Sequence, residues 1–296
     1  MTCTGCRLSA TGYRALAWAL VALCASVSAA PVPARIISLV PSVTETLFAI
    51  GAGPQVIAVS SVDHDPPEVN RLPRVGALVD PDVERILALR PDLVVTYHSQ
   101  EDLGRQLARA GIATYPFVHG GLEASLASIA DVGRRVGHAA EAEALVQRIS
   151  ARLDRVRAEA AGRPHPRVLL VFGREPGSLR GLYASGGVGF LHDLVQTAGG
   201  DNVFADVRRE SVQATTELVI ARRPDVIVEV RPEPVGDAAA VARETSAWDA
   251  LGSVPAVRDK RIVWLTGTDL VIPGPRLADA AERLARAING VGMNVP

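Results

Sequence analysis

Past residue 24 the sequence contains no cysteine, because its three thiols, Cys3, Cys6 and Cys24, all lie near the start of the chain. That absence removes disulfides, thiolate metal sites and cysteine nucleophiles from the rest of the molecule together. Aromatic residues are scarce, 4% of the total, so a site built on ring stacking has few rings to draw on. Neither sign of charge dominates: 31 basic and 32 acidic side chains leave a net charge of −1. The arginines are spread along helical patterns and form no basic block, which excludes nucleic acid as a partner. Long apolar runs are missing too. The longest candidate, Ala15 to Leu23, is well short of the roughly 20 residues a membrane-spanning helix needs.

Catalytic signatures are equally absent. The sequence has no GxSxG elbow and no GK[ST] phosphate loop, and its glycine run Ser185-Gly-Gly-Val-Gly-Phe190 does not follow the strand-to-helix GxGxxG form. His192 and Asp193 adjoin, but neighbours on a helix point in different directions and cannot relay a proton to one another. The six histidines, His64, His98, His119, His138, His165 and His192, fall on separate elements. A bare zinc or manganese site needs three or four convergent ligands, which this distribution does not offer.

What is present is a chain of 296 residues, 48% of them hydrophobic, enough for one large domain or two lobes. Residues 1–30 form a unit of their own. Arg7 and Arg14 precede the apolar run, and small residues follow from Ala25 to Ala30, which is the pattern of a cleavable export signal cut after Ala29 or Ala30. Leu23 stands before Cys24 where a lipid-anchor signal wants a smaller residue.

From Arg35 onward short apolar runs alternate with helical patterns: RIISLV, SVTETLFAIGAG, QVIAVSS, VERILALR, DLVVTY. Strands followed by crossover helices predict a mainly parallel sheet with helices on both faces. Ser42 or Thr44, with Glu45, is the expected start of the first helix, and Gly51 and Gly53 its stop. The organisation read from the pattern is an N-terminal α/β lobe over 31–138, one long linker helix over 139–163, and a C-terminal α/β lobe over 164–296. The linker would run for roughly 35 Å at ~1.5 Å per residue.

One phrase occurs twice. ERILALRPDLVV (Glu84 to Val95) returns as ELVIARRPDVIV (Glu217 to Val228), 133 residues later. Each copy reads as a helix stopped ahead of its proline and then a buried strand, so the repeat marks the same place in two similar lobes. Glu84 and Glu217 open the two helices, where the helix dipole favours a carboxylate by about 0.3–1 kcal/mol. Their matched placement also suits docking onto a partner with paired arginines.

With RIISLVPSVTETLFAIGAG, Asp65-Pro-Pro-Glu68 followed by LPRVG, DVERILALRPDLVV, and GGDNVF ahead of TTELVIARRPDVIV, the chain from Arg35 to about Asn289 resembles the periplasmic substrate-binding proteins of ABC importers for vitamin B12, haem and ferric siderophores. The resemblance implies two α/β lobes joined by one rigid helix, a monomer with no cofactor of its own and no enzymatic activity, and a small-molecule metal chelate as ligand. It also implies an inner-membrane ABC permease as partner, engaged through Glu84 and Glu217.

Ligands of open parallel sheets bind beyond the carboxyl ends of the strands. That rule selects Tyr97 and His98, Phe172 and Arg174, Arg231, and Thr268 and Asp269, with Tyr183 added if the Gly-rich stretch around it forms a loop and helix start. The resemblance is strongest to the cobalamin binders, which hold the corrin between aromatic side chains. Tyr97 and Tyr183 match two such positions, while Val62, Leu78 and Ser211 stand where further rings are expected. Haem binders of this kind carry a ligating tyrosine just after the Val75-Gly76 position, which is here followed by Ala77 and Leu78. Tyr97 or His98 could still reach a metal from the other side, and Arg174 and Arg231 are the candidates to meet an anionic siderophore.

Overall fold

The computed structural model describes Met1 and residues 31–290; the expected signal, apart from Met1, and Cys24 lie outside the described residues. Four short apolar segments, β1 (Ile36–Ser38), β2 (Val56–Val59), β3 (Leu93–Tyr97) and β4 (Ala113–Phe117), form a parallel sheet in the order β2-β1-β3-β4. Helices α1 (Pro41–Ala49), α2 (Val83–Ala88), α3 (Glu101–Arg109) and α4 (Leu122–Val136) accompany it. The strand β1 is buried throughout and β3 nearly so, as expected where both faces of a sheet are covered. The first helix starts at Pro41, earlier than the expected Ser42 or Thr44. Proline has the φ of the first helical position already set, and the N–H it lacks would have no partner there.

Gly137, at φ +82°, ends α4, and the linker helix α5 (Ala139–Ala160) follows at once. The two helices cross closely at Gly133, where a Cβ would lie only 2.2 Å from the methyl of Ala142. Ala142, Leu145, Ile149, Leu153, Val156 and Ala160 form the buried stripe of α5, spaced three and four residues apart as one helix face requires. Its 22 residues extend for roughly 33 Å at ~1.5 Å each.

The second sheet is mixed. It is built from β5 (Arg167–Gly173), β6 (Leu182–Ser185), β7 (Asp201–Asn202), β8 (Ser211–Ala214), β9 (Val226–Arg231) and β10 (Ile262–Thr266), in the order β10-β9-β5-β6-β8 with β7 also on β5. The pairs β10/β9, β9/β5 and β5/β7 are parallel, whereas β6 runs antiparallel to both β5 and β8. Only eight residues, 174–181, separate β5 from β6; an antiparallel partner can be reached by so short a return and a parallel one cannot. Helices α6 (Phe190–Thr197), α7 (Thr216–Arg222), α8 (Ala238–Ser246), α9 (Pro255–Arg258) and α10 (Leu277–Ile288) complete this lobe. One buried apolar cluster includes Ile36 and Val95 of the first sheet, Ile149 of α5, Leu170 and Val228 of the second sheet, and Leu284 of α10.

The repeated phrase is a repeated clasp. Asp92 Oδ2 accepts the N–H groups of Ala34 and Arg35 at 2.9 Å each, and the Asp92 N–H donates to the Arg35 carbonyl at 2.8 Å. In the other lobe Asp225 Oδ2 accepts the Arg167 N–H at 2.9 Å and its own N–H donates to the Arg167 carbonyl at 2.8 Å. Arg35 reaches the carbonyls of Leu89 and Arg90, and Arg167 that of Arg222. These contacts satisfy helix-end carbonyls that would otherwise lack partners. Arg90 and Arg223 both sit at φ 49°, turning the chain out of the helix ahead of Pro91 and Pro224. Each copy of Arg-Pro-Asp thus ends a helix and fastens the next strand to the strand that opens its lobe.

Asp92→Ala and Asp225→Ala are expected to cost about 1 kcal/mol each, the usual net weight of such hydrogen bonds. Because the two sites share no partner, the double variant should lose the sum. Urea midpoints at unchanged slope measure this; midpoints equal to the parent's would mean that water replaces the carboxylates without loss.

Candidate functional site

The carboxyl ends of the parallel strands carry the candidate residues. On the first lobe, Tyr97 ends β3 half-buried, and its ring stacks on that of His119 with centroids 5.4 Å apart and planes 23° from parallel. Burial, reinforced by the nearby Asp63, pushes the Tyr97 phenol up to about 12, so it is a neutral hydroxyl at any working pH. His98 is exposed beside it. On the second lobe, Phe172 and Tyr183 form a tilted pair, centroids 6.4 Å apart at 32°. Tyr183 is 43% exposed. It lies within β6 opposite Gly173, not on the expected loop and helix start, because that segment forms the antiparallel return. Val62, Leu78 and Val118 are exposed aliphatics in loops after β2 and β4.

The cationic candidates are differently placed from what the sequence suggests. The Arg174 side chain is fully buried. Its Nε donates to Glu229 at 2.7 Å, and its terminal nitrogens donate to the Glu244 carboxylate at 2.8 Å and to the carbonyls of Ser178 and Glu244. This corrects the expectation of Arg174 as a ligand contact: it is a core ion pair. Glu229 also accepts the indole N–H of Trp248 at 2.7 Å and Arg231 at 3.1 Å. The Arg174 and Arg231 guanidiniums each approach the Trp264 ring, 5.6 Å from its centre. Asp269 is likewise buried and engaged, accepting Arg283 at 2.6 and 2.7 Å.

Thr268 joins the lobes. Its hydroxyl donates to Asp65 Oδ2 at 2.9 Å and accepts from Arg276 at 2.8 Å, and Arg276 makes a two-pronged contact with Glu45 on α1 at 2.9 and 2.6 Å. Burial holds the Glu45 carboxyl above its ordinary range against the pull of Arg276. Neither Glu45 nor Arg276 was expected in this role. Glu45, the lone charge in α1 and buried there, was the available sign, but its partner is 231 residues away. A second tie comes from α6, where Asp193 accepts the N–H of Leu122 at the start of α4 at 2.8 Å, while His192 turns to Asn202.

Asp63 underlies the Tyr97 side. It is 1% exposed; Oδ2 accepts the Ser60 N–H at 2.8 Å and the Thr44 hydroxyl at 3.3 Å, and Oδ1 has no partner. Burial pushes its pKa up to about 7 from 3.8.

Glu84 and Glu217 are exposed in the first turns of α2 and α7. Asp82 and Thr215, again 133 apart, cap the two helices by accepting the N–H groups of Arg85 and Leu218. Contact of the Glu217 carboxylate with its own N–H and the Thr215 hydroxyl holds it below the usual range. A helix that crosses back before a parallel strand starts near that strand's carboxyl end. Both glutamates therefore stand on the same side of their sheets as the cleft residues.

Among the described residues no cluster of three or more His, Cys, Asp or Glu could hold a metal ion, and no helix is long and apolar enough to cross a membrane.

Two α/β lobes thus carry the candidate residues at or near the carboxyl ends of their strands. The chain belongs to the periplasmic binding protein family, whose pattern matches residues 36–267. It is 31% identical over 285 residues to a vitamin B12-binding protein of Salmonella paratyphi A, covering 94% of this chain and 98% of that one. The corresponding protein of Pectobacterium atrosepticum is 30% identical over 281 residues, covering 92% and 94%. The solved periplasmic vitamin B12 binding protein of Vibrio cholerae superposes with a TM-score of 0.73 over 88% of this chain and 99% of that one, at 24% identity. A periplasmic heme binding protein of Pseudomonas aeruginosa gives 0.73 over 87% and 93% at 26%. These relatives are binding proteins, not enzymes.

The raised pKa of Asp63 has a stability consequence. Its folded value, about 7, exceeds the reference 3.8, so the contribution is present below pH 3.8 and is lost as pH rises through about 7. Asp63→Asn is expected to flatten this decline, gaining on the parent between those limits. Thermal melts at several pH values test it; parallel stability curves for the two proteins would place the Asp63 carboxyl in the ordinary range.

Proposed function

We propose that this protein is the periplasmic receptor of an ABC importer, that residues 1–30 export it, and that it captures cobalamin or a related corrinoid between its lobes. The observation that carries this is the likeness, along nearly the whole chain, to vitamin B12-binding proteins. The chemistry of the cleft agrees. A flat ring system would lie between the Tyr97 platform of one lobe and the Phe172–Tyr183 pair of the other, gaining about 25 cal/mol per Å² of apolar surface removed from water. Val62 and Leu78, both exposed, would supply aliphatic contact where aromatic rings were expected. Two imidazoles adjoin this platform, His119 stacked on Tyr97 and the exposed His98 next to it in the chain.

Haem is the second reading, favoured by the likeness to heme binding proteins at 26% identity. Ala77 and Leu78 after Val75-Gly76 weigh against it, since neither offers an oxygen side chain to iron. In delivery, Glu84 and Glu217 would meet arginines of the permease. One turn further along each helix, Leu87 and Ile220 are 38% and 42% exposed, adding a matched apolar contact to each acidic one.

Calorimetric titration of the purified protein with cyanocobalamin, hemin and a ferric hydroxamate is the direct test. One-to-one binding of cyanocobalamin is expected, weakened about tenfold by Tyr97→Ala or Tyr183→Ala; response to hemin alone would shift the assignment to haem. The Glu84→Ala, Glu217→Ala double variant should bind ligand as the parent does yet fail to stimulate the transporter's ATPase. Loss of ligand binding in that variant would instead make the two glutamates part of the cleft.

A further inference from the structure

The arginines at the ends of β5 and β9, and those before and within α10, already have their countercharges. Arg174 is matched by Glu229 and Glu244, Arg231 by Glu229, Arg276 by Glu45 and Asp65, and Arg283 by Asp269. Four guanidiniums thus face five carboxylates. Arg180, in the loop after β5, pairs with Glu175 at 2.9 Å. Arg74, bridged to Val59 at the end of β2, is held by the carbonyls of Ser60 and Asp63 and by the Asn70 side chain. No guanidinium of this group is left over to meet an incoming anion.

An anionic ligand gives up its hydration on entering a cleft and recovers it only if fixed positive charge replaces the water. Here it would meet the part-exposed Arg231 and Arg276, each already paired with carboxylates. An uncharged ligand has no such loss. It can use the donors that remain: the Arg231 side chain is 20% exposed and Arg276 31%, and each guanidinium has five N–H groups to offer. Amide or hydroxyl groups on the rim of a chelate would accept from them without disturbing the ion pairs.

On the reading of the protein as a metal-chelate receptor, we infer that the cleft selects uncharged or cationic chelates and rejects multiply anionic ones. The charge pattern of the arginine clusters therefore narrows the cargo independently of the aromatic platforms. It also gives those clusters a second task, as filters that offer an anion no surplus positive charge.

The experiment is a titration of the purified protein with an uncharged pair, cyanocobalamin and a neutral ferric trihydroxamate, and an anionic pair, a ferric tris-catecholate and hemin, at low and high salt. At least one uncharged chelate is expected to bind, the anionic ones about 100-fold or more weakly, with the tight affinity unchanged by salt because no net charge pairing is screened. Asp65→Asn, which removes one countercharge from exposed Arg276, should raise affinity for the anionic chelates about tenfold and leave the uncharged ones unaltered. An anionic chelate that binds as tightly as the uncharged ones, or an affinity that falls steeply with salt, overturns the inference and leaves the receptor reading standing. Failure of all four chelates to bind overturns the receptor reading, and the inference with it.

Discussion

The structure depends on one apolar cluster, among three, that does not stop at the boundary between the sheets. Helix α5 carries it across: one stripe, from Ala142 to Ala160, is buried along the length of the helix, and the same cluster takes in Ile36 at one end and Val228 at the other. With no cysteine beyond residue 24, cohesion rests on this burial and on polar ties such as Arg152 to Asp279 and Glu282, at 2.6 and 2.9 Å. Moving one lobe against the other would expose part of that stripe and separate Arg276 from Glu45 and Asp65. Wide opening is therefore disfavoured by the same contacts that hold the fold.

Polar groups near the cleft divide into two kinds. Some are heavily engaged: Glu229 alone accepts from Arg174, Arg231 and Trp248, and a buried charge held by three donors keeps its neighbours in one arrangement. Others are poised. Tyr97 keeps its hydroxyl neutral, and Asp63 has an oxygen without a partner. The rigid group frames the cleft, while the aromatic and aliphatic side chains at its mouth are free to meet a ligand.

Features whose causes are local could be read from the sequence. The repeated ERILALRPDLVV phrase gave the two lobes, the helix ends and the buried strands, since proline and the apolar run act within a few residues. The long helix was legible from its periodicity. What escaped depended on distant partners or on competition between short-range options. Arg174 looked available because Glu229 and Glu244 are 55 and 70 residues away, and Glu45 looked like part of a helix start until Arg276 was placed beside it. Tyr183 was assigned to a loop because glycines surround it, yet the short return from β5 makes its segment a strand. Tyr97 stands at the end of β3, the strand end that topology singled out.

The tryptophans give this architecture an optical property. Trp248 and Trp264, the two among the described residues, both touch the ion cluster of the second lobe: one donates its indole N–H to Glu229, and the ring of the other is approached by Arg174 and Arg231. Indole emission responds to the field of nearby charges, so the intrinsic fluorescence of these residues reports on one wall of the cleft. A chromophoric ligand arriving there would quench it, and the unlabelled protein would signal its own occupancy.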